Sequence, residues 1–86
     1  MNIRATGDNI YRLMRSRNRT ETWLARQLNV EPETVMNWLN GKRQPTVYAV
    51  YRISKLFNVS METIVEGIDE ETKKLHRAGT AVQEND

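Results

Sequence analysis

Residues 20–40, TETWLARQLNVEPETVMNWLN, decide how this chain is read. Leu24, Ala25 and Leu28 fall at i, i+1 and i+4, and Val35, Trp38 and Leu39 at i, i+3 and i+4. Each half therefore carries one apolar stripe at helical spacing. Between the halves stands Asn29-Val30. A sharp turn between helices needs a residue with φ > 0, and after glycine asparagine tolerates that conformation best. The spacing predicts two short helices meeting at Asn29. Ala25 is small enough to let the second cross closely, and Val30, Val35 and Trp38 fill the angle. That geometry is a helix-turn-helix.

Toward the N terminus, residues 1–6 read as a short arm containing Ile3 and Arg4, with Thr6 or Asp8 capping a first helix whose inward face is Ile10, Leu13 and Met14. Arg12, Arg15, Arg17 and Arg19 stud its outward side and the following loop, which suits either a solvated face or attraction to phosphate. Thr20 is placed to cap the second helix. Trp23 lies off the Leu24/Leu28 stripe and reads as either a cover for the rim of the first helix or an exposed contact residue. Pro32 suits the first position of the third helix, where its missing N–H costs nothing.

Toward the C terminus, Gly41 ends that helix and Asn40-Gly41-Lys42-Arg43 follows as a basic loop. Thr46 is expected to cap a fourth helix with Val47, Val50, Ile53 and Phe57 inward. Asn58-Val59-Ser60 repeats the asparagine turn, Ser60 capping a last short helix with Met61, Ile64 and Val65 inward and Gly67 at its end. Tyr48 and Tyr51 exceed what so small a core needs, as rim residues or as an interface. The expected fold is all-α, a compact bundle of about five short helices over residues 1–68. Residues 69–86 are expected to form an acidic, polar, flexible tail, since the apolar period stops after Ile68.

The chain has 86 residues, near the size where one core is marginally sufficient, so an oligomer would help it. It has no cysteine and one histidine, His76, which argues against disulfides, thiolate metal sites and any resident metal or cofactor. There is no apolar run of membrane-spanning length, and Met1 leads straight into polar sequence, so a cytoplasmic protein is expected. No phosphate-cradling glycine loop or carboxylate cluster suggests an enzyme, and no small-molecule ligand is evident. Residues 1–59 carry ten Lys/Arg against four Asp/Glu, and residues 60–86 three against seven. The basic body suits a polyanion, and the acidic tail would weaken non-specific attraction to it.

From about Gly7 to Val65 the chain resembles the helix-turn-helix domains of lambda-type phage repressors, Cro proteins and their bacterial (XRE-class) relatives. Leu24-Ala25, Leu28, Val30, Val35 and Trp38 match the buried motif positions, and residues 40–45, NGKRQP, match the family's basic segment closing on proline. The resemblance implies a transcriptional regulator that binds a two-fold double-stranded DNA operator as a homodimer. It makes the third helix the recognition helix and assigns Pro32, Glu33, Met36 and Asn37 to the bases. By the chemistry of base edges, Asn37 suits adenine, Glu33 the cytosine N4 amino group, and Met36 the thymine methyl. Arg19, Thr20, Thr22, Asn40, Lys42 and Arg43 fall where relatives meet phosphate, although Glu21 stands where they usually carry Gln. Met14, Ala25, Asn29, Val35, Trp38 and Leu39 hold the motif together. Many relatives join the first and third helices by an Arg–Glu ion pair at the positions of Met14 and Leu39. Here both charges are absent, and the two apolar side chains are expected to touch. Against this stand a protein-binding module that kept the fold, favoured by the acidic recognition face, and the DNA-binding antitoxin of a toxin–antitoxin pair.

Overall fold

The computed structural model describes residues 2–67, and within them short polar side chains set where the helices begin. α1 (Ile3–Ser16) starts at Asn2, whose side chain accepts the Ala5 N–H at 3.0 Å. α2 (Glu21–Leu28) is capped by Thr20 on the Trp23 N–H at 3.1 Å, α4 (Val47–Phe57) by Thr46 on Ala49 at 3.0 Å, and α5 (Met61–Glu66) by Ser60 on Thr63 at 3.2 Å. Each accepts a backbone donor that the first helical turn leaves free. α3 (Pro32–Leu39) has no such side-chain bond; Pro32 occupies its start instead.

The beginning of α1 corrects the expectation of an arm capped at Thr6 or Asp8. Asparagine caps as well as either, and starting at Asn2 carries Thr6 and Gly7 into the interior. Thr6 is fully buried, and among the described residues its hydroxyl has no hydrogen-bond partner. A buried unpaired hydroxyl costs on the order of 1–3 kcal/mol. Thr6→Val, nearly equal in shape, should therefore raise stability by about 1 kcal/mol in urea denaturation. A clear loss would show that the hydroxyl is bonded.

Three helices end alike. Asn18, Asn29 and Asn58 all adopt left-handed backbone, with φ of 55°, 58° and 55°. The residue after each donates back into the helix: Arg19 to the Met14 carbonyl at 2.8 Å, Val30 to Ala25 at 3.0 Å, and Val59 to Ser54 at 3.0 Å. These bonds satisfy carbonyls that the last turn cannot pair. Asn29 and Asn58 stand at the turns expected of them; Asn18 is a third instance that the sequence reading passed over as loop.

The core is built from Ile10 and Met14 of α1, Leu24, Ala25 and Leu28 of α2, Val35 and Trp38 of α3, Val50, Ile53 and Phe57 of α4, and Ile64 of α5. Leu13, Leu39, Met61 and Val65 pack on its margin. Val47 is a correction: it is 69% exposed, not inward. It is the first residue of α4, and the buried row of that helix runs from Val50 through Ile53 and Ser54 to Phe57, which leaves Val47 beyond the bundle's edge. Trp23 is half-buried with its ring 5.9 Å from that of Phe57, so it covers α4. Ser54, buried among apolar neighbours, donates its hydroxyl to the Tyr51 carbonyl at 2.6 Å.

Two polar ties cross between helices. Arg52 of α4 donates to the Gln27 and Leu28 carbonyls at 2.8 and 3.2 Å, placing a cation on the C-terminal carbonyls of α2. Buried Asn9 of α1 donates to the Ile64 carbonyl at 2.8 Å and accepts from Arg12 at 2.9 Å. α1 packs against both α3 and α5, and α2 against α3. The crossing of α1 over α3 is set at Gly7, where an added Cβ would collide with the Trp38 carbonyl oxygen. Among the described residues no helix is long and apolar enough to cross a membrane. The proposed boundary at residue 68 and the tail lie outside the described residues.

Candidate nucleic-acid interface

α3 buries Val35 and Trp38, so its opposite side is fixed. Glu33, Met36, Asn37 and Asn40 recur at i, i+3, i+4 and i+7 along that side, with Pro32 at its start. Pro32, Glu33, Met36 and Asn40 are exposed and Asn37 is half-buried. Met36 is 49% exposed, a large apolar side chain in water at the middle of a stripe otherwise polar. Among the described residues, neither the Glu33 carboxylate nor the Asn37 amide has a hydrogen-bond or ion-pair partner. Their polar atoms are therefore available to an outside molecule.

The loop after α3 is anchored to the helix it leaves. The Asn37 carbonyl accepts from Lys42 N–H at 2.9 Å and from Arg43 N–H at 3.2 Å, and Gly41 takes φ 70° between them. Lys42 and Arg43 are exposed there. An added Cβ on Gly41 would meet the Arg4 Cα and guanidinium at 3.7 Å. Arg4 thus lies beside the start of the basic loop, while the Arg43 side chain lines a separate hollow with Thr34, Gln44, Thr46 and Tyr48. Arg4 is a candidate that reading the sequence did not assign to the interface, because 36 residues separate it from Gly41 and only the α1–α3 crossing closes the gap.

The other candidate phosphate residues, Arg19, Thr20 and Thr22, are exposed at the start of α2. The Thr20 hydroxyl is engaged as the helix cap, and the Arg19 guanidinium lies 4.5 Å from the centre of the Trp23 ring. Arg12, Arg15 and Arg17 are each engaged within the chain. Arg12 is bonded to Asn9, Arg15 donates to the Tyr11 hydroxyl at 3.3 Å, and Arg17 lies 5.9 Å from the Phe57 ring. Between α1, the start of α2 and α3 runs a groove lined by Asp8, Tyr11, Glu21, Met36, Leu39 and Asn40. Its two carboxylates make this edge acidic, opposite in sign to the loop at the C-terminal end of α3. Leu39 borders the groove half-buried, while Met14 is inside the core.

Five helices, with the second and third meeting at a left-handed asparagine and the third presenting a polar outward stripe, define a helix-turn-helix protein. The helix-turn-helix family profile matches residues 10–64. The chain belongs to this XRE/lambda-repressor-like family of DNA-binding regulators, which is not a family of enzymes. Its fold is similar to that in a solved complex of the SinR and SinI proteins, with a TM-score of 0.64 and 19% identity over 86% of this chain and 77% of that one. No curated protein matches the sequence.

Proposed function

We propose that the protein is a sequence-specific, double-stranded DNA-binding transcriptional regulator of the phage repressor or Cro kind, acting in the cytoplasm as a homodimer on a two-fold operator. The observation that carries this reading is the unpartnered outward stripe of α3, followed by the exposed Lys42 and Arg43 of the loop that begins at Gly41 beside Arg4. Arg4, Lys42 and Arg43 grip phosphates, together with Arg19, Thr20, Thr22 and Asn40, while Pro32, Glu33, Met36 and Asn37 face base edges. Phosphate contacts position the protein and base contacts specify the site. One short helix reads few base pairs, and two copies spaced about one helical turn apart double the discrimination.

Gel retardation at several salt concentrations, followed by selection from a random duplex pool, tests the reading. Replacing Arg4, Lys42 and Arg43 by alanine should weaken all sequences about equally and flatten the slope of log affinity against log salt by roughly 2–3, at about 0.9 per lost phosphate contact. An unchanged slope would remove these residues from the interface. Asn37→Ala should cost about 1–3 kcal/mol on the selected site and little on random DNA, relaxing preference at one base pair. Equal losses on both would show that Asn37 reads no base.

A protein-binding module is the second reading, favoured by Asp8 and Glu21 in the groove beside α3 and by Glu33 on it. The similar SinR structure is itself a complex with SinI. Affinity insensitive to salt and absence of any enriched DNA site would favour this reading. An antitoxin would still bind DNA, and co-purification with a toxin would distinguish it.

A further inference from the structure

Resting on the DNA-binding reading above, we propose that the recognition helix prefers 5-methylcytosine to both cytosine and thymine at one position of its site. The juxtaposition that carries it is Glu33 with Met36 on α3. Residues three apart on a helix are surface neighbours, about 5–6 Å between Cβ atoms, so both side chains reach one base edge or two adjacent ones. Both are exposed, and the Glu33 carboxylate has no cation or hydrogen-bond donor among the described residues. A free carboxylate at the groove-facing side of α3 repels phosphate unless it meets a donor. In the major groove, the pyrimidine donor is the cytosine N4 amino group.

Met36 adds a second requirement. Its thioether is half-exposed in the middle of a polar stripe, and its complement in the groove is a methyl group on pyrimidine C5. Thymine offers that methyl but places its O4 acceptor where Glu33 also accepts, setting two oxygens against each other. Cytosine offers the amino donor and leaves Met36 facing C5–H. A cytosine methylated at C5 carries the donor and the methyl side by side on one edge. It satisfies both side chains at once. Asn37, at i+4 from Glu33, is left to read the neighbouring pair.

The test uses the full chain and two random duplex pools, one amplified with ordinary dCTP and one with 5-methyl-dCTP. The selected site is then resynthesised with cytosine, 5-methylcytosine or thymine at each pyrimidine in turn, and affinities are compared by fluorescence anisotropy. At one position 5-methylcytosine should bind about 3–10-fold more tightly than cytosine, the gain expected from burying one methyl group, and thymine more weakly than either. Met36→Ala should abolish the methyl gain while retaining preference for cytosine over thymine. Glu33→Gln, whose amide can donate to O4, should relax the rejection of thymine while retaining the methyl gain. Equal or weaker binding of methylated sites, or a methyl gain that persists in Met36→Ala, overturns the inference and leaves the DNA-binding reading standing. Enrichment in neither pool overturns the DNA-binding reading and this inference with it.

Discussion

Met14→Arg alone is expected to cost about 3–5 kcal/mol, enough to unfold a domain of this size or bring it close to unfolding. Met14 is 2% exposed within the core, so a guanidinium there loses its hydration and gains no carboxylate. Leu39→Glu should cost less, because Leu39 is half-buried at the edge of a solvent-filled groove and its carboxylate keeps much of its hydration, although Asp8 and Glu21 in that groove repel it. Relatives carrying both charges at these positions gain Coulomb attraction in exchange for desolvation, whereas apolar groups of similar volume are often as stable or more so. The hypothesis is that Met14 and Leu39 meet and fasten α3 to α1 by packing. The double variant Met14→Arg with Leu39→Glu should then recover much of the loss in urea denaturation. Strictly additive losses across the four proteins of that cycle would show that the two side chains do not interact.

Gly7→Ala is expected to destabilise by about 2–3 kcal/mol even though alanine is the better helix former by about 1 kcal/mol. The added Cβ would overlap the Trp38 carbonyl oxygen and lie 3.2 Å from the Trp38 carbonyl carbon and 3.3 Å from the Leu39 Cα. All three are backbone atoms, so no rotamer change relieves the contact; α1 and α3 must separate. Since the Trp38 carbonyl belongs to α3, the proposed recognition helix, DNA affinity should fall together with thermal stability if that reading holds. A gain in melting temperature, as propensity alone would give, would contradict the close crossing.

Much of the fold was legible because its determinants are local. Asn29 and Asn58 mark turns by tolerating φ > 0, Thr20, Thr46 and Ser60 mark helix starts by the reach of a hydroxyl, and the Val35/Trp38 spacing orients α3. Once the buried side of α3 is known, its outward stripe follows from the helical period. The start of α1 was misread because Asn2, Thr6 and Asp8 are all competent caps, and local chemistry does not rank them. Val47 was misread because it keeps the spacing of Val50, and period alone does not say where a helix passes the edge of its neighbours.

By itself the sequence determined the class of fold, the two asparagine turns and the side of α3 that faces outward, since each depends on residues within one or two helical turns. The tertiary structure alone decided what depends on residues distant along the chain. Gly7 is indispensable only once α1 lies on the Trp38 carbonyl, and Asn9 and Arg52 become ties only when α5 and α2 present free carbonyls to them. Arg4 reaches the basic loop because the α1–α3 crossing sets the first turn of α1 beside Gly41. Side-chain propensity and period are properties of neighbours in sequence, whereas charge clustering and close backbone approach are properties of neighbours in space.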